Sequence, residues 1–231
     1  MTTTLITGAN KGLGFETARR LIEAGHTVYV GARDIRRGEE AAARLGARFV
    51  RLDVTDEESV EDAAAFVRKE AGRLDVLVNN AGIVGARKPV GETTGEDMRN
   101  TYETNVFGAV RVTKAFLPLL EAGKDPVVVN VSSGLGSLAA TNDPDRIEFG
   151  VAALDYNSSK TALVMVTSQY AKAYPGIRFN AVDPGYTATD LNGNTGHNTV
   201  EDGADIIVRM ALIDADGPTG GFFDEAGPAA W

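Results

Sequence analysis

Thr4-Leu5-Ile6-Thr7-Gly8-Ala9-Asn10-Lys11-Gly12-Leu13-Gly14 is the stretch that decides how the chain is read. A short apolar and β-branched run stops at Gly8, Gly12 and Gly14 follow, and an amphipathic segment begins. Glycine accepts positive φ and lets another group approach the backbone closely. A helix starting there offers unpaired N–H groups and the positive end of a dipole, a setting suited to a pyrophosphate. The G-x-x-x-G-x-G spacing departs from the more familiar G-x-G-x-x-G, but the strand-turn-helix context is the same.

Working outward, β-branched runs recur at Thr27 to Val30, Arg48 to Leu52, Val76 to Val78, Val127 to Val131 and Ile177 to Val182. Several are almost continuously apolar, as strands of a parallel sheet covered on both faces must be. Helical patterns lie between them: Lys11 to Ala24, stopped by Gly25; Asp34 to Leu45; and Asp56 to Ala71, with Thr55 as N-cap candidate. They continue with Thr94 to Leu120, read as one segment or two; Tyr156 to Ala173, stopped by Pro175-Gly176; and Val200 to Leu212. The alternation predicts a Rossmann-type, doubly wound parallel α/β sheet of about seven strands with helices on both faces. One domain is expected over 1–231, with substrate loops at about 134–155 and 185–199.

Composition removes whole classes of chemistry. The chain has 231 residues and no cysteine, so no thiolate nucleophile, disulfide or Cys-type metal site is possible. His26 and His197 are its only histidines and lie far apart, which leaves no multi-histidine metal site. The net charge of −9 argues against nucleic acid and anionic membranes as partners. No long apolar segment or basic leader pattern occurs, so a soluble, cytoplasmic protein is expected.

The second strand speaks about which dinucleotide would bind. A carboxylate usually holds a ribose 2′-OH at its end, whereas arginine accommodates a 2′-phosphate. Here the strand ends Gly31-Ala32-Arg33, and Lys11 can reach the same edge. This favours NADPH/NADP⁺ over NADH; Asp34, one residue further on, is a counter-signal.

Tyr156 and Lys160 are four residues apart at the start of a helical segment, so their side chains share a face. A neighbouring ammonium is expected to lower the tyrosine pKa and fit it for acid-base work. Alone, this pair is a weak signal. Here Ser132-Ser133, Asn79-Asn80-Ala81-Gly82 and Pro184-Gly185 end three predicted strands on one sheet edge, the edge that faces the ligand crevice of an open α/β sheet.

With Thr7, Gly8, Gly12, Gly14, Asp53, the Asn79–Gly82 run, Asn105, Ser133, Tyr156, Lys160, Pro184-Gly185 and Thr187 in this order, the sequence resembles the single-domain short-chain dehydrogenases/reductases. Within that family it is most similar to NADPH-dependent carbonyl reductases. The resemblance implies hydride transfer between NADPH and a ketone or aldehyde carbonyl. It implies that Tyr156 protonates the carbonyl oxygen, Ser133 polarises it, Lys160 holds the nicotinamide ribose and tunes Tyr156, and Asn105 holds a relay water. It also implies a cofactor-binding set of Gly8, Asn10, Lys11, Gly12, Leu13, Gly14, Arg33, Asp53, Val54, Asn79, Ala81, Gly82, Pro184, Gly185, Thr187 and Thr189, together with Tyr156 and Lys160. Asp53 and Val54 would flank the adenine, Asn79 would line its ribose, and Thr187 and Thr189 would sit by the nicotinamide and pyrophosphate. The alternatives are an NAD-linked alcohol dehydrogenase and a non-catalytic NADP(H) sensor.

Two departures from the family stand out. The gap between Ser133 and Tyr156 is longer than usual, with an extra segment at about Thr141 to Leu154. It lies beside the helix that many members use for oligomer contacts, so a monomer is favoured, and it should border the site. The loop between Thr189 and Thr199 is short, polar and glycine-rich, which predicts an open cleft. His26 is expected to be structural, His197 a surface residue and Trp231 a packing residue.

Overall fold

The computed structural model describes all 231 residues. The apolar runs form β1 (Thr3–Thr7), β2 (Thr27–Ala32), β3 (Arg48–Arg51), β4 (Val76–Asn79), β5 (Val127–Val131) and β6 (Arg178–Val182), with β7 (Phe222–Asp224) and β8 (Gly227–Pro228) at the end of the chain. They make one sheet in the order β3-β2-β1-β4-β5-β6-β7-β8. Every pairing is parallel except the terminal β7–β8 hairpin, which adds an eighth strand to the seven expected.

Alternate residues of a strand face opposite ways, and both faces of this sheet are apolar. Ile6, Val30, Val78 and Val129 pack with Leu21 of α1 (Gly12–Glu23), Ala41 of α2 (Ile35–Leu45) and Ile207 of α8 (Val200–Ala211). Leu5, Tyr29, Leu77 and Val128 pack on the other face with Val60 of α3 (Glu57–Ala71) and Phe116 of α5 (Ala109–Glu121), with Tyr170 of α7 (Leu154–Ala173) at the margin. The strand order reverses beside β1, which opens a crevice at the carboxyl ends of β1 and β4.

Several helix ends differ from the sequence reading. The N-cap of α3 is Asp56, which accepts from the N–H groups of Glu58 and Ser59. The hydroxyl of Thr55, the expected cap, instead donates to Asp53. The 94–120 segment is α4 (Gly95–Tyr102) and α5 joined through a π-helical stretch at Glu103–Gly108. The helix α7 starts two residues before Tyr156, which places the tyrosine in its first turn. The single-turn α6 (Leu138–Thr141) leads into the extra segment, which holds a 3₁₀ turn at Ile147–Gly150.

Candidate active site

The glycine turn is shaped by close contacts. Gly8 and Gly12 have φ of 64° and 56°, the left-handed region. A Cβ on Gly14 would stand 2.5 Å from the Asn80 amide nitrogen and 2.9 Å from the Gly8 carbonyl oxygen. Asn80 donates to the carbonyls of Thr7 and Gly8, and the Thr7 hydroxyl accepts from the N–H groups of Asn80 and Ala81. The ends of β1 and β4 are thereby locked together. Above this turn α1 has no side-chain cap and no acidic residue in its first turn, so its N-terminal N–H groups face the crevice without a protein anion. Asn10 and Leu13 are half-buried in the same turn, and Leu13 also packs on the core.

At the end of β2, Arg33 is exposed and has no ion-pair partner. Asp34 is engaged as the N-cap of α2, accepting from the Arg37 N–H, so it is built into a helix end. Lys11 donates to the Asp190 carboxylate at 2.8 Å, an exposed pair in which the cation holds the acid below the ordinary carboxylate range. The loop carrying Asp190 is tied on its other side by Arg87, which donates to the Leu191 carbonyl. The Tyr186 hydroxyl and Thr195 are hydrogen-bonded within it, and exposed His197 lies edge-on to Tyr186. The expected open loop is therefore tethered on both flanks.

Other expected cofactor residues are used in different ways. Asp53 accepts from the backbone and hydroxyl of Thr55, and Val54 is buried against Gly108. Asn79 does not turn toward the crevice: its side chain is buried and donates to Thr113 and Asn130 inside the sheet. Thr187 is buried beside Gly203 of α8 and donates to the Pro184 carbonyl, while Gly185 adopts a φ of 69°. Half-buried Thr189 lies near Gly12, which brings the loop after β6 over the glycine turn.

Ser133, Tyr156 and Lys160 meet at the carboxyl edge of β5. The Lys160 ammonium is buried and donates to the Val131 carbonyl at 2.8 Å. It lies 5.6 Å from the centre of the Tyr156 ring. Ser132 donates to the Lys160 carbonyl, so the strand end and α7 are pinned together. Gly136 fits this contact, since a Cβ there would sit 2.8 Å from Lys160 atoms. The Ser133 hydroxyl accepts from the Leu135 N–H at 3.2 Å and favours the ionised form of the Tyr156 phenol. Asn105, in the π-helical stretch, accepts from the Ile83 N–H at 2.8 Å and donates to the Ile83 carbonyl and the Ser159 hydroxyl. A Cβ on Gly82 would stand 3.4 Å from the Asn105 carbonyl oxygen and 3.5 Å from the Lys160 nitrogen, so this glycine lets the two approach.

The electrostatics of Tyr156 reverse the sequence expectation. Burial pushes its phenol up to about 12, opposed by the Ser133 hydrogen bond and reinforced by the Asp183 carboxylate. Burial brings the Lys160 ammonium down to about 8, while Asp183 works the other way. Desolvation is the leading cause of both shifts, and it favours the neutral phenol.

A turn fixed by glycines at the end of a first parallel strand, a Tyr-x-x-x-Lys helix and a serine at the next strand edge now share one crevice. The sequence profile of the short chain dehydrogenases matches residues 2–199. The chain belongs to the short-chain dehydrogenase/reductase family. Similar members include (+)-neomenthol dehydrogenase of Capsicum annuum, 31% identical over 95% of this chain and 94% of that one. Salutaridine reductase of Papaver bracteatum is 32% identical over 95% and 93%. Among solved structures, NADPH-bound carbonyl reductase from chicken fatty liver superposes with a TM-score of 0.88 at 28% identity, over 100% of this chain and 99% of that one. These relatives are dehydrogenases and reductases, and this family member is an oxidoreductase.

Sequence reasoning left three residues of the site unassigned. Asn80 stood in a quoted motif, where its neighbour Asn79 took the role. Asp183 and Asp190 carry no periodic or motif signal, and only the tertiary fold brings them to the crevice.

A cavity of about 580 Å³ lies elsewhere. Its walls include Asn157, Ser158, Thr161 and Ala162 of α7, the face turned away from Tyr156.

Proposed function

We propose that this chain is an NADPH-dependent carbonyl reductase that interconverts ketones or aldehydes with their alcohols. The observation that carries the reading is Tyr156 in the first turn of α7, half-buried, with the buried Lys160 ammonium 5.6 Å from its ring and Ser133 at the end of β5. A phenol that keeps its proton near neutrality is suited to give it to a developing alkoxide. Ser133 supplies a second hydroxyl for the same oxygen. Lys160 and Asn105 position the tyrosine helix and the Ile83 backbone around the crevice.

The chain's own features fit a dinucleotide. An uncapped α1, two left-handed glycines and the Gly14 contact leave backbone N–H groups for a pyrophosphate. Arg33, exposed and without an ion-pair partner, suits a 2′-phosphate, and the relative solved with NADPH bound supports that choice. When bound, the nicotinamide supplies the hydride, and the protein supplies position and the proton. Backbone around Asp53, Val54, Asn79, Ala81 and Gly82 would line the adenosine half. Pro184, Gly185, Thr187 and Thr189 would flank the nicotinamide half.

The whole chain would work as one domain, with the loops at 134–155 and 185–199 shaping access. Its extra segment lies along the outer side of α7, where Asn157 donates to the Val151 carbonyl. We take the enzyme to act as a monomer on this ground. The reading is tested by following NADPH oxidation with a panel of simple ketones, aldehydes and quinones, against NADH in parallel. Turnover with NADPH is expected. Cofactor binding without turnover on any carbonyl would leave only a sensor.

A further inference from the structure

Asp155 directly precedes Tyr156, is the second residue of α7 and is 3% exposed. A carboxylate buried this far from water needs donors around it. Three neutral donors from three elements supply them. One oxygen accepts from the Tyr156 N–H at 2.9 Å. The other accepts from the Ala86 N–H at 2.8 Å, in the loop after β4, and from the Thr101 hydroxyl of α4 at 2.9 Å. Ala153, the N-cap of α7, offers no side-chain oxygen, so Asp155 serves one of the N–H groups that a helix start leaves open. The loop after β4 is shaped to this carboxylate. Gly85 has a φ of 77°, and a Cβ there would overlap the Asp155 carboxylate and crowd the Thr101 hydroxyl.

A second clamp runs beside the first. Asn105 holds both the N–H and the carbonyl of Ile83 and donates to the Ser159 hydroxyl, which donates to the Tyr156 carbonyl at 2.7 Å. The peptide groups on either side of the Tyr156 Cα are thus tied to one loop, Gly82 to Arg87, through two buried side chains, Asp155 and Asn105. The loop runs on to Arg87, whose φ of 52° is uncommon for a residue with a Cβ. Arg87 donates to the Leu191 carbonyl of the loop after β6. The tyrosine helix and both of these loops therefore share one set of hydrogen bonds.

We infer that Asp155 is a positioning residue for carbonyl reduction: its buried carboxylate fixes the Tyr156 backbone against the Gly82–Arg87 loop, so that the phenol meets the substrate carbonyl in register. The inference rests on the carbonyl-reductase reading of the same site. All three partners donate, and an ionised carboxylate accepts at both oxygens. Asparagine has the same shape and only one accepting oxygen. Whichever way its amide lies, the NH₂ faces either the Tyr156 N–H or the Ala86 N–H, and that link is lost.

The test compares Asp155→Asn in the wild-type and Tyr156→Phe backgrounds, with ketone turnover counted per NADPH-binding site. In the wild-type background kcat should fall about ten- to a hundredfold, the cost of displacing a catalytic group by about 1 Å. NADPH affinity should stay close to wild type, because the glycine turn is locked by Thr7 and Asn80 and not by this clamp. In Tyr156→Phe, where no phenol proton is left to position, the same change should cost less than about twofold. A carboxylate that merely holds the fold would lower the melting temperature and leave turnover per site unchanged, or lower it by the same factor in both backgrounds. Either result would overturn the inference. If Asp155→Asn does not fold, Gly85→Ala, whose methyl displaces the carboxylate from the loop side, is read in the same two backgrounds. A loss seen only where Tyr156 is present supports the inference, and no loss or an equal loss overturns it. Full ketone turnover in Tyr156→Phe would instead sink the underlying reading, so the two failures are told apart.

Discussion

Replacing Lys160 with methionine should stabilise the protein while abolishing its activity. Lys160 is 5% exposed, and burial brings its ammonium from 10.5 down to about 8. At 1.36 kcal/mol per pH unit, holding that charge in the fold costs about 3 kcal/mol. Methionine is of similar length and removes the charge. It also removes the donor to the Val131 carbonyl, which returns about 1 to 2 kcal/mol of the gain. The net increase is about 1 to 2 kcal/mol, or about 3 to 6 °C in melting temperature for a chain of this size. The pH dependence identifies the cause. Below pH 8 the lysine is charged in both folded and unfolded states, and wild type bears the whole cost. Between 8 and 10.5 the folded lysine loses its proton while the unfolded one keeps it, so wild-type stability climbs with pH. The advantage of Lys160→Met should therefore be large at pH 7 and mostly gone at pH 9.5. Paired thermal melts at the two pH values read it. A variant no more stable at pH 7, or equally favoured at both, would refute the reasoning.

Three further outcomes follow from the same geometry. Arg33→Ala should weaken NADPH binding about tenfold or more, with NADH little changed, in parallel fluorescence titrations, because it removes a charge-assisted contact to the 2′-phosphate. Gly14→Ala should lower stability by about 1 to 3 kcal/mol in denaturant unfolding and weaken cofactor binding, since the new Cβ meets Asn80 and the Gly8 carbonyl. Light scattering should give the monomer mass of 24.4 kDa, and a tetramer would reject the role given to the extra segment along α7.

The sheet could be read from the chain because parallel strands covered on both faces are nearly all apolar. Val127–Val131 is buried at all five positions and matches its expected bounds. The edge strands could not be read: β7 has three residues and β8 two, too few for any period to show. Thr55 and Asp56 are both good caps one residue apart, and the choice between them depends on Asp53 capturing the threonine. The π-helical stretch that carries Asn105 changes hydrogen bonding without changing composition, so nothing in the residues announces it. Ser133, Tyr156 and Lys160 were legible as a motif, yet the direction of the Tyr156 shift was not. Charge spacing along a helix is written in the sequence, whereas desolvation depends on what covers the ring. Asp183 belongs with this second kind of property, as a lone acid whose surroundings at Gly134, Glu148 and Gly185 come only from the fold.

The central claim is that Tyr156 donates the proton in carbonyl reduction, and Tyr156→Phe tests it with a single oxygen atom removed. Steady-state NADPH oxidation with a ketone that wild type reduces should fall by about 10²- to 10⁴-fold. NADPH affinity and melting temperature should stay close to wild type. A Tyr156→Phe enzyme that binds NADPH and turns the ketone over at the wild-type rate would contradict the account.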